Sequence, residues 1–309
     1  MARRRKGRPV SGILVLDKPA GKSSNGAMVV CRAIYNASKA GHTGALDPLA
    51  TGVLPICFGE ATKFSQFLLD ADKGYLSTFV FGERRSTGDA EGEVVDEGDA
   101  SALTAADVEG AMQGLRGRIS QVPPMYSALK RDGKPLYQLA RQGIEVEREA
   151  RDVEISRFEL LDFRPGRRAE ADVLVQCSKG TYIRSLAEDL GATLGTGAYV
   201  GQLRRSAAGP FSLDEAYSID AIQALRDRQA FAELDELLLP VDAGLEHIPL
   251  CHLGETAAHY LSQGQTVQVP SAPLHGPVRL AGPDGHFMGI GDIIDDGRVA
   301  PKRLISGAS

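Results

Sequence analysis

The stretch GHTGALDPLATG at residues 41–52 holds one carboxylate, Asp47, in a run of small and uncharged residues. Gly41, Gly44 and Gly52 permit backbone conformations that a Cβ forbids, and Pro48 fixes the residue after the acid. Such a loop is rigid and still lets a substrate approach the carboxylate closely. Thr43 and Thr51 add hydroxyls without a competing charge. An Asp in a turn of this kind also serves as a cap for the element that follows, so spacing alone leaves both roles open.

Short elements flank the loop on either side. Residues 12–17 read as an apolar strand, and Ser23 or Ser24 caps a helix running to about Asn36. Residues 53–58 read as a buried strand, 61–69 as a helix and 75–81 as another strand, which brings Asp47 and Tyr75 to the rim of one cleft. The acidic run Asp89, Glu91, Glu93, Asp96, Glu97 and Asp99 reads as an exposed turn or hairpin tip. Helices are expected over 105–115, 136–142 and 181–194, and long strands over 151–162 and 169–177. Strands and helices alternate without a regular repeat, which favours an α+β fold over a doubly wound one.

A second unit is expected to begin near His247. A helical, acidic stretch over 219–239 precedes it, and Pro240, Gly244 and Pro249 punctuate the boundary. Beyond it, β-type segments at 265–269, 278–281 and 286–290 alternate with Gly, Pro and Asp turns, as in a small barrel.

Two motifs near the loop fail on single residues. PAGKSS at 19–24 places GKS between a strand and a helix, but the position five before Gly21 is Leu16, where a phosphate-cradling loop needs glycine. DPLAT at 47–51 has the outline of an aspartyl-phosphate loop, yet the second acid is replaced by Leu49. Nucleotide binding and aspartyl-phosphate hydrolysis are set aside on these grounds.

Composition narrows the remaining classes. The chain has 309 residues, enough for a large core and more than one domain. No apolar run approaches a membrane span and the Arg-rich start lacks the apolar segment of a secretory signal, so a cytoplasmic protein is expected, with no membrane partner. Cys31, Cys57, Cys177 and Cys251 form no C-x-x-C pair and read as buried thiols. The formal net charge is −5, but charge is segregated: Arg3, Arg4, Arg5, Lys6 and Arg8 crowd the first eight residues. That basic tail, residues 1–10, reads either as solvated and disordered or as an arm for RNA.

The loop closely resembles the catalytic loop of the TruB family of tRNA pseudouridine synthases. The likeness continues in LDKPAGKSSN at 16–25, GEATKFSQFLLD at 59–70, DKGY at 72–75, PPMYSALK at 123–130, CSKGTYIRSLAEDLG at 177–191 and QLRRSAAGPF at 202–211. The resemblance implies a mixed, largely antiparallel sheet flanked by helices over 1–246, with a β-barrel-like PUA domain for RNA over 247–309. The implied reaction is isomerisation of uridine to pseudouridine at position 55 of the tRNA T-loop, with no cofactor and no obligate protein partner. Asp47 is the implied nucleophile, Arg184 its cation, and Tyr75 a stacking ring and proton acceptor. Tyr182 and Leu203 correspond to positions that hold the target base. His42 matches the histidine that fills the vacated stack, and Lys18 supports the loop or a phosphate. Further RNA phosphates are assigned to a basic surface of Lys63, Lys130, Arg131, Lys179, Arg204 and Arg205. The chain departs from the family at Arg85, Ser86 and Thr87 ahead of Asp89, and at Leu76 after Tyr75. A non-catalytic RNA-binding module is the alternative reading.

Overall fold

The computed structural model describes residues 7–131 and 133–306. In chain order the first strands are β1 (Gly12–Lys18), β2 (Ala40–His42), β3 (Thr51–Phe58) and β4 (Lys73–Phe81). A hairpin of β5 (Glu83–Arg85) and β6 (Val94–Glu97) follows, then β7 (Gly117–Gln121) and a small hairpin of β8 (Lys130–Arg131) and β9 (Lys134–Pro135). The long pair β10 (Arg151–Arg164) and β11 (Glu170–Cys177) precedes β12 (Ala198–Ala208), β13 (Phe211–Ser212) and β14 (Tyr217–Ser218). The helices are α1 (Ser24–Ile34), α2 (Ser65–Leu69), α3 (Ala105–Gln113), α4 (Leu136–Ala140), α5 (Ile183–Thr193), α6 (Ile219–Asp227) and α7 (Phe231–Glu236).

Ten strands form one sheet in the order β14-β1-β3-β12-β4-β11-β10-β7, with β13 paired to β12 and β2 to β3. The β3–β12 and β1–β14 pairs are parallel and the others antiparallel, so the sheet is mixed and largely antiparallel. Its helices cover it with apolar stripes. In α1, Ser23 caps the first turn by accepting from the Gly26 amide, and Ala27, Cys31 and Ile34 recur on the buried face. The helix stops where Asn36 turns into the left-handed region at φ 48°. In α5, Ile183, Leu186, Ala187 and Leu190 are buried, and Gly191 lies so close to β12 that a Cβ would sit 2.3 Å from the Ala198 nitrogen.

The C-terminal unit has strands β15 (Leu250–His252), β16 (Gly276–Ala281), β17 (Phe287–Ile293) and β18 (Val299–Leu304) in that spatial order, with helix α8 (Glu255–Ser262) against them. Cys251, Leu253, Leu261, Val278, Leu280 and Val299 make its own core. A second cluster ties it to the ten-stranded sheet: Phe64 meets Phe287 edge-on at 5.0 Å, beside Ile13, Val15 and Ile290. Lys63 Nζ donates to the Leu304 carbonyl at 2.9 Å across the same contact.

Several elements differ from the reading of the sequence. The longest omission is β12, whose alternation is disguised by two adjacent charges, Arg204 and Arg205, one of them buried. The helical stretch at 219–239 is two helices, broken where Gln229 adopts φ 58°. The helix at 61–69 opens with a 3-10 turn over Gly59–Lys63 before α2. Helix α8 stands in a region read as purely β, and 265–269 contributes only a bridge from Val267 to Val299. Of the basic tail, Arg3, Arg4, Arg5 and Lys6 lie outside the described residues. Arg8 is fixed to the fold, pairing with Asp235 and lying 5.0 Å from the Phe231 ring. The four cysteines are buried and free, and among the described residues no helix is long and apolar enough to cross a membrane.

Candidate active site

The loop from Thr43 to Ala50 joins β2 to β3 and is held from several sides. Ser24 Oγ, in the first turn of α1, donates to the Leu46 carbonyl at 3.0 Å and accepts from the Leu46 amide at 2.7 Å. The Gly21 amide donates to the Pro48 carbonyl at 2.8 Å. Lys18 Nζ donates to the carbonyls of Pro19, Lys22 and Pro48 at 2.9, 2.6 and 3.3 Å. From below, Arg205 donates through Nε to Val53 at 2.7 Å and through a terminal nitrogen to Gly44 at 3.2 Å. Gly52 lets the strands meet here: its φ is 102°, and a Cβ would lie 2.2 Å from the Arg205 carbonyl oxygen.

At the head of this frame Asp47 faces Arg184. Arg184 Nε is 3.0 Å from Asp47 Oδ2 and 3.8 Å from Asp89 Oδ2. Its other nitrogens donate to the Thr87 and Tyr126 carbonyls at 2.8 and 2.7 Å. The Arg184 and Asp89 side chains are each 5% exposed, whereas that of Asp47 is 39% exposed. Burial raises the Asp47 carboxyl above its usual range; Arg184 is the largest opposing influence, and the charge of Asp89 adds to the rise. The guanidinium is thus locked between two acids, one sealed in and one open to a cavity.

That cavity has a volume of about 580 Å³, within the range of small-ligand sites. Asp47, Tyr75, Tyr182, Arg184 and Leu203 line it together. Register explains the convergence: on adjacent strands Tyr75 pairs with Val175 on one side and Arg205 on the other, and Leu203 with Ser77. Burial pushes the Tyr75 phenol upward, with the charge of Arg205 opposing, so the hydroxyl is protonated at neutral pH. Tyr182 precedes α5, and Gln121 grips its backbone, accepting from its amide at 2.8 Å and donating to its carbonyl at 3.1 Å.

Two expected site residues, His42 and Lys18, lie outside the cavity lining. His42 is half-buried at the end of β2, beside Ile56, and does not line the cavity. Burial and then the charge of Arg205 push its imidazole toward the neutral form. Lys18 is fully buried and its ammonium is taken by three carbonyls, so it supports the loop and does not offer itself to a phosphate. Burial lowers its pKa to about 8, against the attraction of Asp47.

The basic surface also needs correction. Arg205 is 1% exposed and belongs to the loop frame. Arg204 is engaged with Asp17 at 2.8 Å, Lys179 with Asp70 at 2.8 Å, and Lys63 with Glu60 at 2.7 Å. Lys130 and Arg131 remain on an exposed hairpin. Asp89, read with its acidic neighbours as solvent-facing, is buried against Arg184, accepts from Thr87 Oγ1 at 2.6 Å and accepts from the Glu91 amide at 3.1 Å. Glycine and hydroxyl residues around it, in STGDAEG at 86–92, were the available signal that this one acid is held.

Residues 32–183 match the family described as TruB family pseudouridylate synthase (N terminal domain). Residues 184–246 match a tRNA pseudouridylate synthase B C-terminal domain, and 249–305 the C-terminal region of Pseudouridine synthase II TruB. The chain is 56% identical over 308 residues to a tRNA pseudouridine synthase B of Saccharophagus degradans, covering 98% of both chains. A Pseudomonas aeruginosa protein of the same description is 55% identical over 298 residues, 96% of this chain and 97% of that one. Among solved structures, one described as a Cbf5-Nop10-Gar1 complex shares the fold with a TM-score of 0.72 at 24% identity, over 95% of this chain and 84% of that one. The separated sequence blocks, the mixed sheet that gathers them and identity along nearly the whole length agree: the chain belongs to the TruB family of pseudouridine synthases.

Proposed function

We propose that this protein isomerises uridine to pseudouridine at position 55 in the T-loop of tRNA, with Asp47 as nucleophile. The observation that carries the reading is the placement of an Arg184-paired carboxylate and a buried tyrosine ring in one cavity of nucleotide size. The reaction breaks a glycosidic bond, rotates the uracil and rejoins it through carbon. Because no atom is gained or lost, the steps balance without an added oxidant, reductant or cofactor.

Asp47 acts as an ionised carboxylate, which Arg184 maintains against burial. Tyr75 and Leu203 bracket the uracil, and Tyr182 closes the cavity beside Arg184. After the carbon bond forms, the proton on that carbon leaves to the Tyr75 oxygen as the phenol passes its own proton to water, and a proton from water reaches the freed ring nitrogen, so the proton count of the base is unchanged. An enzyme that acts on this base must extrude the nucleotide, and the neutral His42 ring, outside the cavity at the end of β2, fills the vacated stack. Residues 247–309 supply RNA contacts outside the loop, and tRNA is the partner. The test is mass-spectrometric mapping of pseudouridine in tRNA incubated with the pure protein, alongside Asp47→Asn. Product at the T-loop uridine with the parent and none with the variant supports the reading; RNA binding without product in the parent makes the protein a binding module.

A further inference from the structure

The charges in the cavity do not balance. Its wall carries Lys73, Arg184 and Arg205 but one carboxylate, Asp47. Even with Asp89 counted behind Arg184, one positive charge is left over. Arg184 is spent on the two acids and on two carbonyls, and the guanidinium of Arg205 on loop carbonyls. Lys73 is different. Among the described residues it makes no ion pair, and its ammonium donates only to the carbonyls of Leu69, at 2.7 Å, and Ala71. An ammonium has three donors, so one is left for a ligand. Nearby Asp70 is taken by Lys179 at 2.8 Å.

The position of Lys73 also matters. It is two residues before Tyr75 on β4, so both side chains project from the same face about 7 Å apart along the strand. That is the order of the distance between a base and the phosphate of the same nucleotide. Leu69, Ser178 and Gly180 line this end of the cavity without adding a charge. Half-burial and then the neighbouring Arg205 work against a charged Lys73, with weaker opposing influences from Cys177, Asp72 and Asp70, none of which lines the cavity; an anion in the cavity would relieve the first two.

We propose that Lys73 binds a backbone phosphodiester next to the extruded nucleotide, so that the strand is gripped on its phosphate while Tyr75 holds the base. The inference rests on the reading of the cavity as a site for a uridine in RNA. Neutralising one phosphate removes the same contact as neutralising Lys73, which makes a cycle of substitutions decisive.

The experiment uses T-stem-loop RNAs with a single methylphosphonate on the 5′ or the 3′ side of the target uridine, with the parent protein, Lys73→Met and Lys73→Arg. In the parent, one of the two methylphosphonates should lower kcat/KM about tenfold, the loss of one charge-assisted hydrogen bond. Lys73→Met should show the same loss on native RNA and no further loss on that methylphosphonate. Lys73→Arg should recover most of the rate. Equal rates for the parent on all three RNAs, or losses in Lys73→Met that multiply with those of both methylphosphonates, overturn the proposal. The parent arm stands even if Lys73→Met fails to fold. Absence of product from native RNA with the parent would instead refute the enzymatic reading itself.

Discussion

Arg184→Met removes the cation that stands between two carboxylates, and the consequences follow from its distances. Nε is 3.0 Å from Asp47 Oδ2 and 3.8 Å from Asp89 Oδ2. Burial already lifts the Asp47 carboxyl above its usual range, and Arg184 is the strongest influence holding it down. In the variant the repulsion of Asp89 acts with burial, unopposed at close range, and Asp47 takes up a proton at higher pH. Each unit by which its pKa exceeds the working pH removes about nine-tenths of the ionised nucleophile. The expected loss in pseudouridine formation is about a hundredfold or more near neutrality, the scale on which one preorganised charge contact acts. The acid limb of the pH–rate profile should move upward, so the deficit should be larger near pH 6 than near pH 8.5.

Stability should fall as well. Removing one partner of a buried pair costs about 3 kcal/mol or more, most of it here from Asp89, because Asp47 is partly open to solvent and its charge is screened. In the parent, the folded Asp47 carboxyl lies above its unfolded value, so the folded state binds the proton more tightly. Its contribution to stability therefore declines as pH rises through the window from the ordinary carboxylate value to the raised one. Lowering the pH should restore part of what Arg184→Met loses. Single-turnover rates across pH, with urea unfolding at two pH values, measure both effects. A near-normal rate, or an acid limb that stays in place, would refute the assignment of Arg184 as the cation that keeps Asp47 ionised.

Tyr75→Phe should bind the T-stem-loop almost as the parent does while turning over about a hundredfold more slowly, since the ring remains and the hydroxyl that moves the proton is gone; a parent rate would leave Tyr75 a stacking residue only. His42→Ala should be impaired mainly in extruding the base, so its defect should shrink on RNA whose target uridine is already unstacked, and an equal defect on both RNAs contradicts the wedge role. Phe287→Ala removes the ring that packs on Phe64 and should cost about 2–3 kcal/mol, below the value for a fully buried ring because Phe287 is only partly buried. It should weaken whole tRNA more than an isolated T-stem-loop, with a steep dependence on salt, and dissociation constants for the two RNAs across a salt series check this.

Much of the site was legible in the linear chain because its parts are local. Gly44 and Gly52, on either side of Asp47, take φ of 76° and 102°, conformations that are local to the loop, and the apolar runs at β1, β3 and β4 announce buried strands through composition alone. The same is true of Ser23, which caps α1 through an amide three residues away. Roles that depend on distant partners were not legible. Adjacent Arg204 and Arg205 have the same chemistry in the sequence, yet alternation along β12 sends one to Asp17 at the surface and the other into the core beneath the loop. Asp89 and its acidic neighbours likewise look alike until the fold brings α5 against the hairpin and Arg184 selects one of them. Lys18 could face a phosphate or a carbonyl, and three carbonyls drawn from two loops decide it. Local sequence determines backbone conformation and apolar burial because those energies are set within a few residues. Which charge is sealed, paired or left free for a substrate is decided only by tertiary structure, because electrostatic energies depend on partners brought in from other elements of the chain and on the solvent that packing excludes.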